Sequence, residues 1–279
     1  MIKIGEINKL KVVRIADFGY YLDGQTGNSS DDILLPVKSA LGKELNLDDE
    51  VEVFIYRDSR DRMIATMKTP LITVGNIAKL QVVDDAKIGY FVNIGLERDV
   101  LVPFKEAPHQ LEVGKEYLFY MYVDKTNRLA CTTRIDKYLN DTNSYNIGDE
   151  IEGIIYGFQT NNSAMVALEN TYRGVILKNE YYNNIKIGDI VKVRVKRYYE
   201  DGKIGVTLRE SRLKEKKQLE DIILEYLKDN NGVMSLWDKS SPELIEKTFK
   251  TSKNSFKRAL GGLMKRDLIV QEDGFTKLK

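Results

Sequence analysis

The 279-residue sequence predicts a mostly β chain, three tandem five-stranded barrels followed by a small α+β domain. Three observations carry that expectation. A glycine-led segment returns at a spacing of about 70 residues: "IGEINKLKVVRI" from Ile4, "VGNIAKLQVVDD" from Val74 and "IGDEIEGIIYGF" from Ile147. A second segment returns with it, a polar turn followed by alternating apolar positions: "LDDEVEVFIYRD" from Leu47, "VGKEYLFYMYVD" from Val113 and "IGDIVKVRVKRY" from Ile187. Beyond Arg212 the apolar period then changes from two to 3.6, the change from strands to helices.

Within each copy the elements follow in order. The glycine-led first strand leads into a hairpin, "ADFGYYL" from Ala16 and "AKIGYFV" from Ala86. A short middle strand comes next in "DILLPVKSAL" from Asp32 and "DVLVPFKEAP" from Asp99, with a looser counterpart in "RGVILKNEYY" from Arg173. The alternating fourth strand and a last strand close the copy, the latter being "RMIATM" from Arg62, "RLACTT" from Arg128 and "KIGVTL" from Lys203. Five strands in roughly 65 residues is the economy of an OB barrel. The expected boundaries are residues 1–68, 69–143 and 144–212 for the barrels and 213–279 for the tail.

Neighbouring side chains of a strand point to opposite faces. Of Tyr20 and Tyr21, and of Tyr90 and Phe91, one ring should therefore pack and the other lie outward, where it can stack an unpaired base. At these residues the chain resembles the RNA-binding repeat of ribosomal protein S-one. In that family rings beside the hairpin glycine and a basic residue before the last strand form the surface on which RNA lies. The resemblance places Phe18, Tyr21 and Arg62 on such a surface in the first copy, with Tyr20 beside them. In the second copy it places Phe91, Tyr90 and Arg128 there, with Ile88 replacing the first ring. The third copy keeps Phe158 but has Asn and Ser in place of the glycine and second ring; Tyr156, Arg173 and Lys203 remain candidates for its face.

In the tail, Leu219, Ile222, Ile223, Tyr226 and Leu227 make one apolar helix face. Ser240 or Ser241 with Pro242 and Glu243 announces a second helix. Thr251 or Ser252 caps a third, whose buried stripe is Phe256, Ala259, Leu260, Leu263 and Met264. Gly261 and Gly262 inside it each lose about 1 kcal/mol against Ala, which implies a close approach by something else. "LIVQEDGFTKL" reads as a hairpin turning at Asp273 and Gly274. Three helices and a hairpin make a winged helix. From Thr248 to Arg266 there is no acid, and Lys253, Lys257, Arg258 and Lys265 are its candidate phosphate contacts.

Composition narrows the function. The net charge is only +1, but the excess drifts toward the C-terminus, about −2, −1, +1 and +3 over the successive segments. A single Cys131 and a single His109 leave no disulfide framework and no usual metal or acid–base cluster. His109 reads as a loop residue, Cys131 as a small barrel residue and Trp237 as winged-helix core. The acidic pairs Asp31–Asp32, Asp48–Asp49 and Asp84–Asp85 read as turn residues rather than as a two-metal site. No catalytic residue, metal or cofactor is expected. No apolar run approaches the ~20 residues of a membrane helix, and charges interrupt the first ten residues, so the reading is cytoplasmic. The whole chain, "SKNSFKRALGGLMKRDLIV" above all, resembles the bacterial conserved virulence factor B family, three S-one-type repeats and a winged helix. The resemblance implies a non-enzymatic regulator of gene expression that binds RNA, single-stranded in the first instance. The alternative is an adaptor that binds duplex DNA or protein through the winged helix.

Overall fold

A computed structural model describes residues 1–181, 185–209, 212–272 and 274–279. The chain divides into two compact units, Met1–Leu208 and Arg209–Lys279.

The first unit contains three closed five-stranded barrels. In the first, β1 (Ile7–Ala16), β2 (Gly19–Leu22), β3 (Ile33–Pro36), β4 (Glu50–Arg57) and β5 (Met63–Thr66) close in the order β1-β2-β3-β5-β4, with β3 parallel to β5. The second repeats the plan with β6 (Ile77–Ala86), β7 (Gly89–Val92), β8 (Val100–Pro103), β9 (Glu116–Val123) and β10 (Leu129–Thr132). The third uses β11 (Glu150–Phe158), β12 (Ala164–Leu168), β13 (Tyr172–Ile176), β14 (Ile190–Tyr198) and β15 (Ile204–Thr207). These are OB barrels, as the strand plan predicts.

The period-two pattern decides which side chains go inward. Leu10, Val12, Leu22, Ile33, Leu35, Val53 and Ile55 fill the first barrel. Leu80, Val82, Val92, Val102, Phe119, Met121 and Cys131 fill the second. Ile155, Val166, Ile176, Val193, Val195 and Val206 fill the third. The ladder of the first two strands slips by one residue at the same place each time, between Val12 and Arg14, Val82 and Asp84, and Ile155 and Gly157. A bulge of this kind bends and twists a strand enough for it to serve both halves of a small barrel. Asp84 and Asp85 lie on β6, so this acidic pair is a strand feature and not the expected turn.

The barrels are joined by specific seams. Between the first and second, the Val74 amide donates to the Gly5 carbonyl (2.8 Å), Arg57 Nε to the Asn127 carbonyl (2.9 Å) and Arg128 Nε to the Asp61 carboxylate (3.0 Å). Between the second and third lies a separate apolar cluster of Leu118, Ile135, Leu139, Ile154, Tyr156 and Ala167. The connecting segment also runs along β13: the Asn140 amide donates to Thr171 and the Arg173 amide to Asn140.

The second unit comprises α1 (Arg212–Asp229), β16 (Val233–Met234), α2 (Pro242–Phe249), α3 (Lys253–Lys265), β17 (Ile269–Glu272) and β18 (Phe275–Leu278), with sheet order β16-β18-β17. Ser241 caps α2, accepting from the Leu244 amide, and Ser252 caps α3, accepting from the Ser255 amide. Leu219, Ile223 and Leu227 of α1 meet Phe256, Ala259, Leu260 and Leu263 of α3 in one core. Ile222 and Met264, expected in that core, are exposed, because each sits at the edge of its apolar stripe. Leu236 takes the buried place, while Trp237 is half-buried with the Lys239 ammonium 5.1 Å from its ring. A Cβ on Gly262 would collide with the Glu220 carboxylate and the Lys216 side chain. Gly262 is therefore explained by helix packing, since Glu220 is buried against it and pairs with Arg266 at 2.8 Å. Space beside Gly261 is open. Of the expected hairpin turn, Asp273 lies outside the described residues.

Candidate nucleic-acid interface

The shared register places one row of five outward residues on each barrel, every member directly opposite the next. In the first barrel the row is Arg14, Tyr21, Leu34, Ile64 and Tyr56. In the second it is Asp84, Phe91, Leu101, Ala130 and Tyr122. In the third it is Gly157, Met165, Val175, Gly205 and Arg197. Opposed residues of a sheet share a face, so each row is one continuous strip across the barrel.

The first barrel carries the fullest set. Phe18, in the turn before the strip, is 59% exposed. Its ring meets Tyr21 edge-on at 6.2 Å, and the Arg14 guanidinium lies 3.5 Å above the centre of the Tyr21 ring. Among the described residues no carboxylate pairs with Arg14. The hairpin that presents these groups depends on Gly19, where a Cβ would collide with the Leu35 carbonyl oxygen, as at Gly89 it would with that of Val102. Tyr20 takes the inward position: it packs against the barrel core, and its hydroxyl donates weakly to the Lys43 carbonyl (3.4 Å).

In the second barrel Phe91 is half-buried on the strip and Ile88 stands at the Phe18 position, 62% exposed in the turn. Tyr90 is only 5% exposed and belongs to the core, edge-on to Phe104 at 5.3 Å. Tyr90 and Tyr20, expected as possible stacking rings, are thus packing rings, as strand alternation requires of one partner in each pair.

The third barrel departs most. Its hairpin is longer, and Ser163 replaces the glycine outside the ladder, which ends at Phe158 opposite Ala164. Phe158 therefore aligns with Ile15 rather than Phe18, and Met165 stands where the other barrels have Tyr21 and Phe91. Tyr156, expected on the RNA face, is 6% exposed in the seam with the second barrel, and its hydroxyl donates to Asp136 at 2.7 Å. That bond and burial together raise its phenol pKa, burial being the larger cause. Arg173 is likewise committed, with two nitrogens on the Asp141 carboxylate (2.9 and 2.6 Å) and one on the Asp201 carbonyl (3.0 Å). Lys203 is held by Asp201 at 2.8 Å. These three leave the candidate face; Phe158, 38% exposed, stays.

The basic residues before the last strands are part of aspartate turns. Arg62 Nε and an Nη donate to Asp58 (3.0 and 2.7 Å) while the Arg62 amide binds the same carboxylate. Partial burial opposes ionisation of Asp58, but these bonds outweigh it and hold its carboxyl below the usual range. In the second barrel Asp124 keeps the amide bonds while the Arg128 side chain crosses to Asp61 of the first. Both guanidiniums are solvent-exposed, so they remain able to exchange carboxylate for phosphate.

On the winged helix, Lys257, Arg258 and Lys265 are exposed along α3, and Lys253 is half-buried at its start. Lys253 donates to the Lys239 carbonyl, Lys257 lies 3.8 Å from Asp238, and Arg258 bonds locally to Asn254 and Ser255. A largely unneutralised cationic strip is what results.

Comparison with known proteins agrees with this architecture. The S1 domain model matches residues 4–68 and 74–134, and the model of the CvfB-like winged helix domain matches 221–278. A Bacillus subtilis relative, "Uncharacterized protein YitL", is 32% identical over 98% of this chain and 92% of its own. "Conserved virulence factor B" of Staphylococcus aureus is 30% identical over 97% of this chain and 92% of its own. The chain belongs to the conserved virulence factor B family. A solved multidomain protein with nucleic acid binding domains, from Streptococcus pneumoniae TIGR4, shares the fold of this family member at a TM-score of 0.54 and 24% identity, over 99% of this chain and 98% of that one. The two S1 matches in this family member are the two barrels that keep the hairpin glycine and a ring on the strip. The domain types matched are nucleic-acid-binding ones and not catalytic ones.

Sequence reasoning missed Arg14 and Tyr122; Tyr56, at the end of the first row, is only 6% exposed and offers no open surface. The signal for Arg14 was present: a two-residue turn at Asp17 and Phe18 puts Arg14 opposite Tyr21. Tyr56 and Tyr122 depend on closure of the barrel, which brings β4 beside β5 and β9 beside β10. Burial, with Glu106 and Asp124 nearby, pushes the Tyr122 phenol up to about 12, so it is a neutral hydrogen-bond donor.

Proposed function

We propose that this chain is a non-enzymatic, cytoplasmic protein that binds single-stranded RNA and acts in post-transcriptional regulation. The observation that carries the reading is the first barrel's surface, where an exposed Phe18 and the Arg14-covered Tyr21 stand together. Large rings left in water beside an unpaired guanidinium suit unpaired bases and their phosphates, because every base has a π face and stacking is worth about 1–3 kcal/mol per base. Phe91 extends the same function to the second barrel. The cations of α3 add phosphate contacts, which raise affinity without reading sequence.

The test is a filter-binding titration of the full chain against single-stranded RNA, duplex RNA and duplex DNA at two salt concentrations. Single-stranded RNA is expected to bind most tightly. Reversing the charges of Lys253, Lys257, Arg258 and Lys265 should flatten the salt dependence by about 0.7 in log–log slope per lost contact. Preference for duplex DNA, abolished by the helix reversal and untouched by removal of Phe18, would replace this reading with that of a winged-helix adaptor.

A further inference from the structure

The strip of the second barrel runs on past Phe91 into a cleft. After Leu101 it steps down to Ala130, where the first barrel has Ile64, and then reaches Tyr122. Tyr122 lines a cleft of about 830 Å³ to which the third barrel contributes Gly157, Phe158 and Met165. A cleft of this size falls within the range of small-ligand sites, roughly 300–1,000 Å³. In the third barrel Gly157 and Met165 stand where the first has Arg14 and Tyr21, so the positions that lost RNA-binding side chains border open space beside the second barrel's strip.

The lining has the chemistry of a base site. Tyr122, Phe158 and Met165 are among its apolar members, and two exposed cations, Arg134 and Lys137, adjoin them. Arg134 Nε donates to the Lys105 carbonyl at 3.1 Å, and among the described residues no carboxylate neutralises it. The Lys137 ammonium lies 4.7 Å from the centre of the Tyr138 ring. Of the acids in the lining, Asp136 is committed to the Tyr156 hydroxyl, which leaves Glu106 as the second.

We propose that this cleft receives one unpaired nucleobase of the strand that lies on the second barrel, held between Tyr122 and Phe158, with Arg134 and Lys137 on the adjoining phosphates. The third barrel then binds RNA not through a face of its own but as the far wall of its neighbour's. This inference rests on the single-stranded RNA reading above.

The test uses the full chain and an oligouridylate of about 16 nucleotides containing 4-thiouridine. Photo-cross-links are mapped by mass spectrometry, and affinities are measured for wild type, Phe158→Ala, Phe158→Tyr and Phe18→Ala. Cross-links to peptides holding Tyr122 or Phe158 are expected. Phe158→Ala should lose them and weaken binding roughly tenfold, Phe158→Tyr should restore both, and Phe18→Ala should weaken binding while keeping them. Thermal melts establish that the variants fold. Cross-links confined to Phe18, Tyr21 and Phe91 peptides, or Phe158→Ala binding like wild type, would overturn the cleft and leave RNA binding standing. Failure of the wild type to bind any single-stranded RNA would overturn both.

Discussion

The first and third barrels share strand order, bulge position and an inward set of aliphatic residues, yet one strip carries Arg14 and Tyr21 where the other carries Gly157 and Met165. Alternation makes this separation possible: inward residues specify the barrel and outward ones are free to diverge. The third barrel's outer face is taken up by contacts instead. Tyr156, at its bulge, and Ala167 are buried against Leu118, Ile135 and Leu139 of the second barrel and its connecting segment. A repeat that has stopped looking like its siblings has here become an interface.

The sharpest break of the comparison is at the hairpin. Gly19→Ser, which copies the third barrel's Ser163, forces a Cβ into the Leu35 carbonyl because Gly19 lies inside the ladder and Ser163 outside it. Overpacking of this kind costs about 1–3 kcal/mol, and here against backbone the upper end is expected. Urea unfolding should show that loss, whereas Ser163→Gly, which meets no carbonyl, should cost no more than about 1 kcal/mol, the entropy of an added glycine.

A smaller effect on the fold, but a large one on binding, is expected from the rings. Phe18→Ala with Tyr21→Ala should weaken single-stranded RNA by about 1–3 kcal/mol per stacked base. The reciprocal change, Met165→Phe, should not create a second strong site, because Met165 packs against the seam between the barrels. A gain in affinity equal to the loss at the first barrel would show that the strips are interchangeable and that the seam does not matter.

The smallest effect is on pH dependence and separates the second barrel from its neighbours, because it alone contains a histidine. Burial lowers the His109 pKa from its usual value, so the folded state holds this proton less tightly than the unfolded chain does. Stability should be complete above about pH 6.5 and decline as pH falls from there toward the lowered folded value. His109→Gln should remove that decline in chemical melts between about pH 7.5 and 5.5. An unchanged slope would show the imidazole to be solvated.

Much of this was legible in the sequence because the repeat displays one pattern three times. The barrel count, the hairpin glycines and the cap serines at Ser241 and Ser252 all follow from local rules of turn and cap chemistry. The outward direction of Tyr21 and Phe91 was legible as one choice of two; the register decided it. The fates of Tyr156, Arg173 and Lys203 were not legible. Lys203 pairs with Asp201 only two residues away, a contact that the turn geometry decides. Partners distant in sequence, Asp136 and Asp141, capture Tyr156 and Arg173, and no strand period reports which neighbouring segment covers a face. The same holds for Gly262, whose partner Glu220 comes from another helix.

The two aspartate turns described earlier are bolted together: Arg57 reaches the Asn127 carbonyl, and Arg128 reaches Asp61. Two weak sites held at a set separation behave as a ruler. A strand too short to touch both gains only one contact, and each added nucleotide contributes little until the second strip comes within reach. At that length the second contact becomes intramolecular and affinity rises by the effective concentration it confers, a step and not a slope. Asp61→Asn, which loosens the bolt, should blur the step into a gradual rise. Under the single-stranded RNA reading proposed above, strand length as well as composition becomes something this chain would measure.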